Sequence, residues 1–292
     1  MRKMDDFMTK QALNLEYSIT GLGEPILIMH GGHSSCTEEW GYRELTSRGY
    51  SVITPSRPGY GKTSKELGAN MITACEAYLE LLDDLKITQV HVIAISAGGP
   101  SGIHFASRYP RRVRSLTLQS AVTHDWLTPG DRIYRVSQIL FRPPIEKYVW
   151  QMTRFVNHLF PDYLFGKLLS SFSKLQPREV WPQISGNDKE QFKRMIDRQR
   201  SGHGFMIDLT QTSHVRRSDL SAIRCPTLIM HSVNDASVLV EHAYYAQHHI
   251  PNAKLSLLDI WGHLIWIGKG SAEMQHQLLE FLDMVGQVYI CT

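Results

Sequence analysis

The stretch Val90-His91-Val92-Ile93-Ala94-Ile95-Ser96-Ala97-Gly98-Gly99 decides the fold. A β-rich, mostly apolar run stops abruptly at a serine followed by an alanine and two glycines. Such a run reads as a strand buried on both faces, and the small residues behind it let the chain turn sharply into a helix. A strand–turn–helix of this kind presents a serine hydroxyl as a nucleophile at the edge of a sheet. The pattern is G-x-S-x-G with Ala94 at the first glycine position. A methyl group there is small enough to keep the packing against the turn.

Working outward from Ser96, apolar strands alternate with helices. Leu13 to Ile19 forms an early strand and Pro25 to Met29 a second, which runs into His30-Gly31-Gly32. Tyr50 to Thr54 is the next, ending in the turn-rich loop Pro55-Ser56-Arg57-Pro58-Gly59-Tyr60-Gly61. Residues 69–85 carry a helical stripe at Leu79, Leu82 and Leu85. Beyond Ser96, a helix from Gly98 to Tyr109 stops at Pro110, and Val113 to Leu118 is again a strand. The core pattern returns at Cys225 to His231, followed by a helix at 237–248, a strand from Ala253 to Leu258 and a last helix near 271–286. This alternation predicts an α/β protein with a mostly parallel central sheet flanked by helices, in three layers.

Between those halves the texture changes. Residues 122–218 are rich in Arg, Gln and aromatics, with helical stretches at 130–141, 144–158, 161–174 and 187–200 punctuated by prolines. The expected organisation is a core of residues 1–121 and 219–292 with an inserted helical cap at 122–218.

Serine chemistry needs an imidazole to take the hydroxyl proton and a carboxylate to orient that imidazole. His263, in Trp261-Gly262-His263-Leu264, follows a predicted strand. Asp235, in Ser232-Val233-Asn234-Asp235, follows the strand ending at His231. All three groups fall just past the carboxyl ends of predicted strands, in the order Ser, Asp, His. Taken singly, each has a plain structural reading as a strand end or a turn residue; their joint placement is the signal. The backbone N–H groups of Ala97 and Gly32 are the candidate oxyanion donors. His33, Ser34 and Trp126 are the pocket candidates, and His30 reads as a brace for its loop. Asp259 and Glu241 rank below Asp235, and Asp125 is a further residue that could face a pocket.

Bulk composition narrows the classes. The 292 residues carry 31 basic and 28 acidic side chains, a net charge of +3, which points to no nucleic-acid partner and no membrane. The short clusters Arg108, Arg111, Arg112, Arg114 and Arg216, Arg217 read as solvated helix ends and loops. Cys36, Cys75, Cys225 and Cys291 have no metal-ligand or disulfide spacing and read as free thiols. None of the 14 histidines forms a metal motif. Gly59-Tyr60-Gly61-Lys62-Thr63 lacks the glycine spacing of a phosphate loop. The expectation is a cytoplasmic monomer or homodimer that acts on a small molecule without metal or cofactor.

With these motifs in view, the chain resembles the α/β-hydrolase superfamily over nearly its whole length. The resemblance rests on His30-Gly31-Gly32, the Arg57-Pro58-Gly59-Tyr60-Gly61 loop, the Ser96 turn, Tyr109-Pro110 before Val113, and the Asp235 and His263 loops. It implies an α/β-hydrolase fold, an inserted helical cap over the site, and an Arg57 loop that is structural and borders the cavity. A serine at position 96 argues against the branches that use a carboxylate nucleophile, the haloalkane dehalogenases and epoxide hydrolases. Serine members include carboxylesterases, lactonases, proline iminopeptidases, C–C bond hydrolases and cofactor-free haloperoxidase-like enzymes. His33 stands where typical iminopeptidases have a proline after the two glycines.

The expected reaction is hydrolysis of a small to medium carboxylic ester or lactone through an acyl-enzyme. An aminopeptidase or amidase and a C–C bond hydrolase are the alternatives within the fold. A peptidase would need a buried carboxylate pair in the cap; Glu146, Asp162 and Glu179 are available, but no spacing pairs them. From another class, a ligand-sensing or scaffold protein that keeps the fold is the further alternative.

Overall fold

The apolar runs become strands that share one sheet. The computed structural model describes residues 2–39 and 41–290, so Cys291 lies outside the described residues. Strands β1 (Arg2–Met8), β2 (Asn14–Thr20), β3 (Glu24–Met29), β4 (Tyr50–Pro55), β5 (Val90–Ile95), β6 (Val113–Gln119), β7 (Thr227–Ser232) and β8 (Ala253–Leu258) lie in the order β1-β2-β4-β3-β5-β6-β7-β8. The pairs β1–β2 and β2–β4 are antiparallel, and all the others are parallel. β1 is a strand that the polar Arg2-Lys3-Met4-Asp5-Asp6 did not announce. It is an exposed edge, held by its backbone ladder to β2 rather than by burial.

Alternate residues of the parallel strands feed two cores. Ile26, Ile28, Val52, Ile93, Leu228 and Met230 point to one face. Leu27, Met29, Ile53, Val92, Leu116 and Ile229 point to the other. Helices α1 (Tyr42–Ser47) and α12 (Ser271–Ile290) flank the first face, and α2 (Met71–Asp84), α3 (Gly99–Arg108) and α11 (Glu241–His249) flank the second. Asn70 starts α2 by accepting the Thr73 N–H at 2.9 Å. The buried stripe of α2 is Ala74, Cys75, Tyr78, Leu81 and Leu82, whereas Leu79 and Leu85 sit only at its margin.

The chain between β6 and β7 is helical: α4 (Arg132–Leu140), α5 (Ile145–Leu159), α6 (Pro161–Phe172), α7 (Pro177–Val180), α8 (Gly186–Arg198), α9 (Gly204–Gln211) and α10 (Arg217–Ala222). Pro161 opens α6, and a reciprocal Ser185–Asp188 capping box opens α8. Phe165, Leu169 and Phe192 of this insertion continue the first core through Trp261 and Leu264. Leu220 of α10 and the following Ile223 belong to the second core instead. Cys36, Cys75 and Cys225 are buried free thiols. Among the described residues, no helix is long and apolar enough to cross a membrane.

Candidate active site

Ser96 ends β5 in a left-handed conformation, φ 49°. A side-chain-bearing residue held there costs about 1–3 kcal/mol, and the surrounding packing must enforce it. That packing is visible. A methyl group added at Gly98 would lie 2.2 Å from the Met29 carbonyl oxygen, and one at Gly102 of α3 would lie 2.5 Å from the Ala94 Cβ. The helix therefore passes so close to β5 that one partner must lack a Cβ. With Ala94 on the strand, Gly102 on the helix takes that requirement, which is why the motif tolerates alanine.

Three loops at one end of the sheet bring the predicted polar groups together. The His263 Nε2 lies 3.0 Å from the Ser96 Oγ, and its Nδ1 lies 2.7 Å from the Asp235 Oδ2. Asp235 is fully buried, His263 nearly so and Ser96 half-buried. With the carboxylate at Nδ1, the neutral ring carries its proton there and leaves Nε2 free to accept the serine proton. The other carboxylate oxygen, Oδ1, accepts the N–H groups of Ser237 and Val238 at 2.8 and 2.9 Å. These bonds wrap the chain around Asp235, so α11 begins at Glu241 rather than at residue 237. Burial pushes the Asp235 carboxyl up, but His263 and His231 outweigh it and hold it well below the usual carboxylate range.

His231 is a member of this network that the sequence did not single out. Its Nε2 donates to the Val238 carbonyl at 2.8 Å and lies 3.3 Å from the Asp235 Oδ2. Asp259 meets Asn234 at 3.3 Å, and Glu241 lies in the first turn of α11. The carboxylate facing His263 is thus Asp235. The end of the cap helix α6 also reaches these loops. The Phe172 carbonyl accepts the His263 N–H at 2.8 Å and the Ala236 N–H at 3.3 Å, and Asn234 accepts the Lys174 N–H at 2.9 Å.

The His30-Gly31-Gly32 loop runs beside the Ser96 turn. A methyl group added at Gly31 would lie 3.4 Å from the Ser96 Cβ, and one at Gly32 would lie 3.7 Å from the Ala97 Cβ. Both candidate oxyanion residues therefore border the serine. Arg57 holds this loop: its Nε donates to the His30 carbonyl at 2.7 Å and its Nη2 to the Gly31 carbonyl at 3.2 Å. The Arg57 backbone N–H donates to the His30 Nε2 at 2.9 Å, which leaves the His30 Nδ1–H to bond the Gly31 carbonyl. Burial and the Arg57 charge keep the His30 ring neutral. Thus His30 braces the loop.

The counter-ion of Arg57 comes from the cap. Asp208 of α9 takes both guanidinium nitrogens, Nη2 at 2.8 Å, and accepts the Tyr60 hydroxyl at 2.6 Å. Burial works against the Arg57 charge, but Asp208 holds it firmly. Nothing in the sequence pairs residues 151 positions apart, so only the fold reveals this link.

Of the pocket candidates, His33 and Trp126 join an aromatic box. The His33 ring stacks on Phe205 with centroids 4.0 Å apart and meets Phe141 and Trp150 at 4.4 and 5.1 Å. Burial pushes the His33 imidazole down to about 3, so the ring is neutral. Its Nδ1 and the Trp150 Nε1–H both meet the Ser201 hydroxyl, at 2.8 and 2.7 Å. Trp126 stands edge-on to Phe205, and its Nε1–H bonds the Ser237 carbonyl at 2.8 Å. The third candidate, Ser34, bonds the Glu38 carboxylate at 2.8 Å and lines a separate small cleft with Met195 and Arg198.

The cap carboxylates do not pair. Glu146 is buried against Arg200 and the Ser201 N–H, Asp162 bonds Lys189, and Glu179 caps the Gln176 N–H. Beside the glycine turn at 59–61, the Glu16 carboxylate accepts the Ser56 hydroxyl and the Lys62 N–H. Among the described residues, no cluster of His, Cys, Asp or Glu could hold a metal ion.

Comparison with known proteins places this geometry. A family model described as alpha/beta hydrolase fold matches residues 24–269. A Bacillus subtilis protein described as uncharacterized hydrolase YcgS is 54% identical, over 97% of this chain and 100% of its own. A 2-hydroxy-6-oxo-6-phenylhexa-2,4-dienoate hydrolase from Burkholderia cepacia is 24% identical over 90% of this chain and 88% of its own. An alpha/beta hydrolase fold protein from Nakamurella multipartita superposes with a TM-score of 0.82 at 26% identity, covering 96% of this chain and 99% of its own.

Proposed function

Since the chain belongs to the alpha/beta hydrolase fold family, we propose that it is a serine hydrolase that cleaves a carbon–carbon bond beside a ketone. The observation that carries the chemistry is the Ser96–His263–Asp235 relay, with links of 3.0 and 2.7 Å. Support for the bond type comes from the likeness to the dienoate hydrolase of Burkholderia cepacia, which spans both chains nearly end to end.

In this reading His263 Nε2 takes the Ser96 proton as Oγ adds to the ketone carbon. Asp235 stabilises the imidazolium and keeps its orientation. The N–H groups of Gly32 and Ala97 hold the oxyanion. Collapse of the adduct breaks the C–C bond, and its electron pair leaves with the carbon fragment. That carbanion is tolerable because a 2-hydroxy dienoate can first shift to its 2-oxo form, which delocalises the charge. The imidazolium returns its proton to the carbon. Water, deprotonated by His263, then releases the acyl group as a carboxylic acid. One water is consumed, and one C–C bond becomes one C–H and one acid.

A second reading, hydrolysis of an uncharged ester or lactone, is favoured by the aromatic box. The two arginines beside the box are already matched, Arg57 by Asp208 and Arg200 by Glu146. A dienoate carboxylate would therefore lack an obvious counter-ion there. Glu146, Asp162 and Glu179 do not pair with one another but with Arg200, Lys189 and the Gln176 N–H, and so give no support to the aminopeptidase reading.

Turnover of 2-hydroxy-6-oxo-6-phenylhexa-2,4-dienoate, followed by loss of its absorbance, and of a p-nitrophenyl ester series separates the readings. Dienoate turnover that Ser96→Ala abolishes supports the first. Ester turnover alone supports the second. Neither turnover nor a fluorophosphonate adduct on Ser96 would sink both and favour a ligand-binding protein.

A further inference from the structure

Helix α5 is amphipathic in the unexpected sense. Its inward face carries Glu146, Trp150 and Asn157. Its outward face carries Tyr148, Met152, Phe155 and Leu159, which are 66%, 63%, 60% and 48% exposed. At 100° per residue these four positions fall within a stripe about 60° wide, opposite the buried one. The neighbouring α4 exposes apolar side chains as well: Ile133, Val136, Ile139 and Leu140 are exposed, on a helix of which only Ser137 is buried. Two adjacent helices that turn their apolar sides to solvent form a far larger apolar surface than scattered single residues would.

The charge around this face selects its occupant. Arg132 and Arg135 lie on the exposed side of α4, Arg142 in the link, and Lys147 along the flank of the α5 stripe. None of these four forms an ion pair among the described residues. The nearby acids are engaged: Asp131 with Thr128, Glu146 with Arg200, and Asp162 with Lys189. A second copy of the chain seated here would bring like charges together, with no carboxylate to answer them. Negative headgroups would answer them directly.

We propose that the outer face of α4 and α5 seats on an anionic lipid surface, with the α5 stripe in the acyl boundary and the basic side chains at the headgroups. This is a peripheral seat, not a span. It revises the expectation drawn from net charge, because the near-balance of the whole chain conceals a local basic excess on an apolar face. The same helix carries Trp150 into the aromatic box, so the seated element also walls the candidate site. The proposal does not depend on which bond the site cleaves.

The test is co-sedimentation of the full chain with vesicles of phosphatidylcholine alone and of phosphatidylcholine mixed with phosphatidylglycerol, at low and high salt. Binding to the mixed vesicles, weakened by salt, is expected. Met152→Ser with Phe155→Ser should weaken it about tenfold or more. Arg135→Glu with Lys147→Glu, which leaves the stripe intact, should weaken it at least fivefold. Circular dichroism and fluorophosphonate labelling of Ser96 should match wild type in both variants, since all four side chains are exposed. No binding to the mixed vesicles, equal binding to both kinds, or binding untouched by either variant overturns the proposal. So does a stable dimer in solution that the Met152, Phe155 variant dissolves, because the face would then belong to a second copy.

Discussion

Replacing Asp208 by asparagine probes the link between cap and oxyanion loop. Arg57 and Asp208 are 3% and 4% exposed, so neither charge can turn to water. Asparagine keeps the volume but sets an amide N–H2 among guanidinium donors and removes the charged acceptor of the Tyr60 hydroxyl. Breaking a buried ion pair from one side costs about 3–5 kcal/mol. At roughly 2–4 °C per kcal/mol for a chain approaching this size, the unfolding midpoint should fall by roughly 10 °C. The rate should fall too. Arg57 also holds the carbonyls of His30 and Gly31, and a loosened loop misplaces the Gly32 N–H. Full loss of one oxyanion donor costs about 10²–10³ in rate, so a tenfold to hundredfold drop is expected. Thermal unfolding by circular dichroism reads the first effect, and the rate of Ser96 labelling by a fluorophosphonate reads the second without needing the natural substrate. The double variant Arg57→Met, Asp208→Leu should unfold at a higher temperature than Asp208→Asn, because no charge is left stranded. A midpoint within about 2 °C of wild type and an unchanged labelling rate in Asp208→Asn would refute the reasoning.

Ser96→Ala should fold normally and lose both turnover and the fluorophosphonate adduct, as intact-protein mass spectrometry will show. Asp235→Asn should lower turnover about 10⁴-fold through the wrong imidazole tautomer. Because folding lowers the Asp235 carboxyl, its contribution to stability is present above the unfolded value near 4 and is lost as the pH falls from there toward the folded value. Acid titration of the unfolding midpoint should accordingly be flatter in Asp235→Asn than in wild type. Gly102→Ala should cost about 1–3 kcal/mol by overpacking against Ala94. Adding Ala94→Gly should restore most of that loss in the same melt, since the pair needs only one bare Cα.

How much of this was legible beforehand depends on how local each signal is. The strands around Ser96 could be read because burial on both faces writes a continuous apolar run. The order of Ser96, Asp235 and His263 could be read because each stands past the end of a strand, Ser96 and Asp235 behind fully buried ones and His263 behind the half-exposed β8, and parallel strands bring those ends together. Cap helices α4, α5, α6 and α8 were legible from proline punctuation, with ends within a few residues, whereas the single turn of α7 was not. The polar edge strand β1 was hidden, because backbone pairing leaves no mark on side-chain pattern. The α2 stripe was misplaced onto Leu79 and Leu85, since several faces of a helix rich in apolar residues fit the same period.

The amino-acid sequence by itself therefore determined the layered α/β core and the three polar groups at its edge, because those follow from spacing along neighbouring segments. Only tertiary structure decided that Asp208 answers Arg57, that Phe172 binds the His263 and Asp235 loops, and that His231 leans on Asp235. Each of these joins residues whose separation along the chain carries no pattern. It also decided which way α5 faces. A helical period shows that two faces differ, but not which one meets the core, and here Glu146 and Asn157 found buried partners while Tyr148, Met152, Phe155 and Leu159 were left to solvent.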